Sequence, residues 1–225
     1  MTFISDNIQL LYMIGNEKGS RRIRSLIERL PIFTLENLKV FNLNENYLRI
    51  FLSRETKTER VIRLKKGVYT SKKFIEKIKG RGRYSDFLEF LACKIYSPSY
   101  LSLDYVLYEN NLLTEMPVNF TLITKNKTAT FSNKLGNFIY HKIREDLFYG
   151  FKVIKKDGFF ILKATKAKAL FDFLYLRKNL LLNKKTVKEL RINTEELTSK
   201  DKKELKKYIE KERSQAMKRI YSQIL

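Results

Sequence analysis

The chain has almost none of the residues on which most catalytic and metal chemistry depends. Its 225 residues include one histidine, one cysteine and no tryptophan. A lone cysteine, Cys93, allows neither an intrachain disulfide nor a cysteine-cluster zinc site. It follows Leu91-Ala92 in an apolar stretch and reads as a small core residue. A lone histidine, His141, leaves Ser-His-Asp, Cys-His and multi-histidine metal sites short of parts. It lies between Tyr140 and Lys142 in an expected strand and reads as structural. Lys79-Gly-Arg-Gly-Arg83 has the spacing of neither phosphate-loop motif, so no nucleotide cofactor is indicated. No stretch approaches eighteen apolar residues, which excludes a membrane-spanning helix. A charged segment followed by an apolar one is missing at the start, so no signal peptide is expected. The expectation is a cytoplasmic protein with no cofactor, no metal and no membrane association.

What the chain does have is positive charge. Lys+Arg number 46 against 24 Asp+Glu, a formal net charge of +22 and a pI near 9.9. A surface this basic attracts phosphate backbones or anionic lipid. Lysine-rich but inert surface is the plain alternative. Hydrophobic residues make up 44% and aromatics 13%, enough for a core and too much for a disordered chain. The cationic excess runs through residues 1–80, 81–182 and 183–225 alike, so a binding face has to be located by pattern.

That pattern is in the N-terminal third. Met1 to Ile14 is apolar at helical spacing. Gly15 and Gly19 interrupt it, and Ser20 can cap a helix from Arg21 to Leu30 with Ile23, Leu26, Ile27 and Leu30 on one stripe. Pro31 stops it. Thr34 can cap a second helix, with Leu35, Leu38 and either Val40 or Phe41 inward. Asn42 and Asn44 mark a turn. A third helix, Glu45 to Ser53, would bury Tyr47, Leu48, Phe51 and Leu52. Val61-Ile-Arg-Leu64 and Val68-Tyr-Thr70 around Lys65-Lys66-Gly67 read as a hairpin. Helix, turn, helix and basic hairpin outline a winged helix-turn-helix, whose second helix enters the DNA major groove. The base-reading candidates are Asn44, Glu45, Asn46, Arg49, Ser53 and Arg54, since Asn suits adenine and Arg suits guanine. Lys57, Arg60, Arg63, Lys65 and Lys66 on the wing, with Arg21, Arg22 and Arg24 on the first helix, would hold phosphates.

Gly80-Arg-Gly82 reads as a linker, giving domains 1–80 and 81–225. Tyr84 to Tyr96 is expected to be a helix, broken at Ser97-Pro98-Ser99, and Ser102 to Asn110 another. The period then changes to two: Asn119–Thr124, with a turn at Lys125-Asn-Lys127 and a return over Thr128–Phe131; then Asn137–Ile143, Phe148–Ile154 and Phe159–Ala164. Thr165 opens a helix, and Asn183 to Leu225 reads as mostly one charged helix carrying Leu205, Ile209, Ala216, Ile220 and Ile224. The fold class is therefore α+β: an N-terminal winged helix-turn-helix, then an α+β domain with a small antiparallel sheet and a C-terminal charged helix.

Three patches resemble the AbiEi-type antitoxins of type IV toxin–antitoxin systems, a family of winged-helix transcriptional regulators. They are Leu64-Lys-Lys-Gly-Val-Tyr-Thr70, Pro98-Ser-Tyr-Leu-Ser-Leu-Asp-Tyr-Val-Leu-Tyr108, and Ile161-Leu-Lys-Ala-Thr-Lys-Ala-Lys-Ala-Leu-Phe-Asp-Phe-Leu-Tyr175. They occur in the family's order. The chain departs from it at Val106, where the family has alanine, and at Ala167, where it has glutamate; Lys168 is kept. The resemblance implies a neighbouring gene for a nucleotidyltransferase-type toxin, autorepression through repeats at the operon's own promoter, and a second domain that counters the toxin without a tight complex. A homodimer would suit an inverted repeat, and monomers would suit direct repeats. Two other classes remain open. One is a metal-dependent nuclease, which would need Asp104, Glu145, Asp146, Asp157 and Asp172 to converge. The other is an RNA-binding module, although the aromatics fall on apolar faces.

Overall fold

The computed structural model describes residues 19–225. The chain divides into two compact units, Met1–Phe87 and Leu88–Leu225. The helix expected over Met1 to Ile14 lies outside the described residues.

In the first unit, α1 is helical through residues 19–27 and buries Ile23 and Ile27. Gly19 and Ser20 are already inside it. Ser20 does not cap: its hydroxyl meets the Tyr47 hydroxyl at 2.8 Å. A two-residue strand that the sequence does not announce follows, β1 (Phe33–Thr34). Next come α2 (Leu35–Leu38) and a 3-10 turn over Lys39–Phe41, closed by Asn42 at φ 51°. Phe41 is the residue that packs inward, and Val40 is 70% exposed. The third helix, α3 (Glu45–Lys57), runs a turn further than its apolar stripe. Then β2 (Val61–Lys65) and β3 (Val68–Ser71) form the expected hairpin, with Gly67 taking φ 80° in the turn. The sheet order is β1-β3-β2, antiparallel throughout, and Phe33 stacks on Tyr69 across the first pair. Ile23, Ile27, Phe33, Leu38, Leu48, Phe51, Leu52 and Val61 make one core, each such side chain contributing about 1.5–3 kcal/mol.

The hairpin leads into α4 (Lys72–Gly80) and α5 (Tyr84–Ile95). Gly80-Arg-Gly82 is a helix-closing turn: the N–H groups of Arg81, Gly82 and Arg83 donate to the Ile78 and Lys79 carbonyls, with Gly82 left-handed. The boundary between the units falls inside α5.

The second unit differs from the expected small antiparallel sheet. It holds a six-stranded mixed sheet in the order β6-β7-β5-β4-β9-β8. Here β4 is Ser99–Leu101, followed by α6 (Leu103–Glu109), β5 (Phe120–Thr124), β6 (Ala129–Asn133), β7 (Gly136–Lys142), β8 (Phe151–Lys156) and β9 (Phe159–Ala164). Strand β4 occupies the stretch that reads as a helix break. It lies between β5 and β9, parallel to the latter. The strands either side of Lys125–Lys127 do not pair: β5 pairs parallel with β7, and β6 pairs with β7 from outside. Four of the five β5 residues are buried, the near-continuous pattern of a strand covered on both faces, and β5 lies inside the sheet with β4 on one edge and β7 on the other.

Helix α7 (Lys166–Arg177) is buried over eight successive residues, Ala167 to Leu174. The expected single C-terminal helix is instead three: α8 (Lys184–Lys188), α9 (Ser199–Glu212) and α10 (Gln215–Ile224). Arg213 at φ 72° closes α9, and Ser214 caps α10. Leu205, Ile209 and Ile220 are buried as expected, and Met217 rather than Ala216 joins them.

Candidate functional site

In α3 the stripe Leu48, Phe51, Leu52 and Glu55 is buried, which turns Glu45, Asn46, Arg49, Ser53, Arg54 and Lys57 outward; all six are exposed. Asn44 starts the helix. Its side-chain carbonyl accepts from the Asn46 N–H at 2.8 Å, so that oxygen is already occupied in capping. Glu45 accepts from Arg49 through Nε at 3.1 Å and Nη2 at 2.5 Å, and Lys39 stands 3.7 Å away. Arg49 therefore lies along the helix, and it holds the Glu45 carboxyl below the usual carboxylate range. An exposed pair of this kind is worth little and can exchange for another partner. Ser53 and Arg54 face solvent beyond it.

On the hairpin, Arg63 and Lys66 are exposed and Lys65 is half-buried. Arg60, at its base, is mostly exposed, with Nη1 3.7 Å from Glu55. Arg21 and Arg22 are exposed on α1, and Arg22 sits over the Phe41 ring at 5.7 Å. Arg24 has a different surrounding from its neighbours. It donates to the buried Glu55 carboxylate through Nη2 at 2.7 Å and Nε at 3.2 Å. Arg24 is the cation within hydrogen-bonding distance of that buried carboxylate, and Arg60 stands 3.7 Å away. Arg24→Ala is expected to lower the stability of this unit by about 1–3 kcal/mol by leaving Glu55 underpartnered. A thermal melt of both proteins checks it.

The second unit contains a buried ion pair that composition did not announce. Lys168 and Asp172, one turn apart on α7, are both fully buried, with Nζ to Oδ1 at 2.7 Å. Nζ also donates to the Leu147 carbonyl at 2.9 Å. The other carboxylate oxygen accepts from the hydroxyls of Tyr100 at 3.0 Å and Ser102 at 2.8 Å. Burial pushes the Asp172 carboxyl up and the Lys168 ammonium down, and their contact opposes both shifts. The rings of Phe171, Tyr208, Tyr149 and Tyr100 surround Nζ at 4.6–6.0 Å. The sequence signal for this is the i, i+4 spacing of Lys168 and Asp172 inside the otherwise apolar stretch Ala167 to Leu174.

Asp172 is thus closed off from solvent. Asp104 pairs with Arg177 at 3.3 Å, Glu145 with Lys125 and Asp146 with Arg144. Among the described residues no three His, Cys, Asp or Glu side chains are placed to hold one metal ion. No helix among them is long and apolar enough to cross a membrane. Cys93 is buried, its thiol pushed up to about 11 by burial.

His141 does more than fill a strand. With Asp104, Arg177, Met116 and Val118 it lines a cleft of about 670 Å³. Burial, and then the Arg177 charge, lower its pKa below 6.5. The unfolded chain therefore binds the proton more readily, and stability rises with pH across the window between the folded value and 6.5. The chain should lose stability as pH falls from 7 towards 5.5, and His141→Gln should flatten that dependence. Denaturant melts at both pH values for both proteins check it.

A scan of the sequence against protein-family models gives no match, and neither does a search of curated proteins.

Proposed function

We propose that the Met1–Phe87 unit is a winged helix-turn-helix that reads duplex DNA, with α3 as the recognition helix and β2–β3 as the wing. The observation that carries this is the element order: helix, strand, helix, helix, then hairpin, with β3 central in β1-β3-β2. Its exposed helix carries base-reading side chains, and its hairpin carries cations. In this reading Asn46, Ser53 and Arg54 meet base edges, and Arg49 joins them on leaving Glu45. Lys57, Arg63 and Lys66 hold phosphates, with Arg21 and Arg22 on the flank; Arg24 is a structural residue. A formal charge of +22 supplies the long-range attraction.

The chain then acts as a sequence-specific transcriptional regulator of the AbiEi antitoxin kind. It represses its own operon, and its second unit counters a nucleotidyltransferase-type toxin encoded beside it. Support for the antitoxin half is the resemblance at Pro98–Tyr108 and Ile161–Tyr175. In the fold these two patches meet: Tyr100 and Ser102 from the first bond Asp172 from the second. A reporter driven by the gene's own upstream region tests the regulator. Repression by the full chain, relieved by Arg54→Ala, is the expected result. Equal expression with and without the chain would contradict it.

A further inference from the structure

Ile50 stands out on α3. It is 51% exposed, in the middle of a helix whose other outward residues are polar. Scattered surface hydrophobics are ordinary, so its place on the helix decides what it is worth. The buried stripe is Leu48, Phe51, Leu52 and Glu55. At about 3.6 residues per turn, the arc diametrically opposite holds Asn46, Ile50, Ser53 and Lys57, spaced i, i+4, i+7 and i+11. Arg49 and Arg54 fall on the two shoulders. Ile50 therefore projects from the most outward line of the helix, in the same row as two short polar side chains.

Resting on the proposal that α3 enters the major groove, we infer that Ile50 is a specificity residue that packs on the 5-methyl group of a thymine. Three observations single out this occupant. The surrounding cations, Arg49, Arg54 and Lys57, match a polyanion rather than an apolar protein face. Thymine is the one base that presents a methyl group in the major groove. The polar competitors are partly engaged elsewhere, since the Asn44 carbonyl caps the helix and Arg49 lies on Glu45. The operator half-site then carries a thymine flanked by the base pairs that Asn46 and Ser53 or Arg54 contact.

The test uses the full chain and duplexes enriched from a randomised pool, resynthesised with deoxyuridine replacing each thymidine in turn. That exchange removes one methyl group and leaves every hydrogen-bonding edge intact. One position should weaken wild-type binding about fourfold, the effect of burying one such carbon. Ile50→Ala should bind the thymidine duplex equally weakly and show no further loss with deoxyuridine there. Ile50→Val should keep the sensitivity. Both variants alter an exposed side chain, and an unchanged melting temperature confirms their folding. Enrichment of a sequence with no deoxyuridine-sensitive position, or a sensitivity that survives Ile50→Ala, overturns the inference while leaving DNA reading intact. Failure to enrich any sequence overturns both.

Discussion

Asp172→Ala is expected to destabilise the second unit by about 3–5 kcal/mol, the range for breaking one side of a buried ion pair. The loss should appear as a lower midpoint in urea for the transition of Leu88–Leu225. The substitution leaves the Lys168 ammonium buried among four rings, its one remaining acceptor being the Leu147 carbonyl. It also removes the acceptor of the Tyr100 and Ser102 hydroxyls. The Lys168 stem is closely packed on its other side, where a Cβ on Gly150 would come within 3.0 Å of it. The double change Lys168→Met with Asp172→Asn removes both charges, keeps similar volume and retains an acceptor for the two hydroxyls. It should recover most of the loss, because the cost lies in the unpaired charge. Equal destabilisation by the single and double variants would show that packing, and not charge, is what the site needs.

The second large effect rests on the proposal that the first unit binds duplex DNA, and concerns the salt dependence of that binding. Replacing Lys57, Arg63 and Lys66 together with alanine should make the plot of log affinity against log salt shallower by about 2.7. Each lost phosphate contact contributes about 0.9 to that slope. The loss should be the same on native and scrambled duplexes, since phosphates carry no sequence. Arg54→Ala should do the opposite. It should leave the slope almost unchanged and relax preference at one base pair, at about 1–3 kcal/mol. A loss in Arg54→Ala that is uniform across sequences would move that residue from base to backbone.

These effects fall on features of differing legibility. The hairpin of the first unit was readable because Lys65-Lys66-Gly67 needs a left-handed glycine and its strands are adjacent in sequence. Helix α3 was readable from its stripe, though not its last turn. That turn is held by Glu55, whose partner Arg24 is 31 residues away. Strand β1 is two residues long and exists only because β3 offers it an edge. In the second unit, Ser99–Leu101 reads as a helix break beside Pro98, yet it forms a central strand because β5 and β9 flank it. Parallel pairing of β5 with β7 is likewise a long-range choice, made by burial of Leu122 and Ile123 on both faces. Arg213, in a run of lysines and glutamates, hides a break between two helices that only the packing of Met217 and Ile220 requires.

The candidate site divides in the same way. Exposure at Asn46, Ser53, Arg54, Arg63 and Lys66 was legible, whereas Lys57, expected on the wing, is the last residue of α3 because the helix outruns its apolar stripe. What Arg24, Asn44 and Arg49 are bonded to did not, because each partner is set by the fold or by local capping. Ile50 carried no reading of its own in the sequence: it lies off the stripe Tyr47, Leu48, Phe51 and Leu52, and its exposure is seen only in the fold.

The most direct measurement is a fluorescence-anisotropy titration of the full chain, without metal, at two salt concentrations. The two probes are a duplex of the gene's own upstream region and a scrambled duplex of equal length. Tighter binding to the native duplex that persists at the higher salt is the result expected of a sequence-specific regulator. Equal affinity for both, collapsing together as salt rises, would leave only a basic surface and contradict the account.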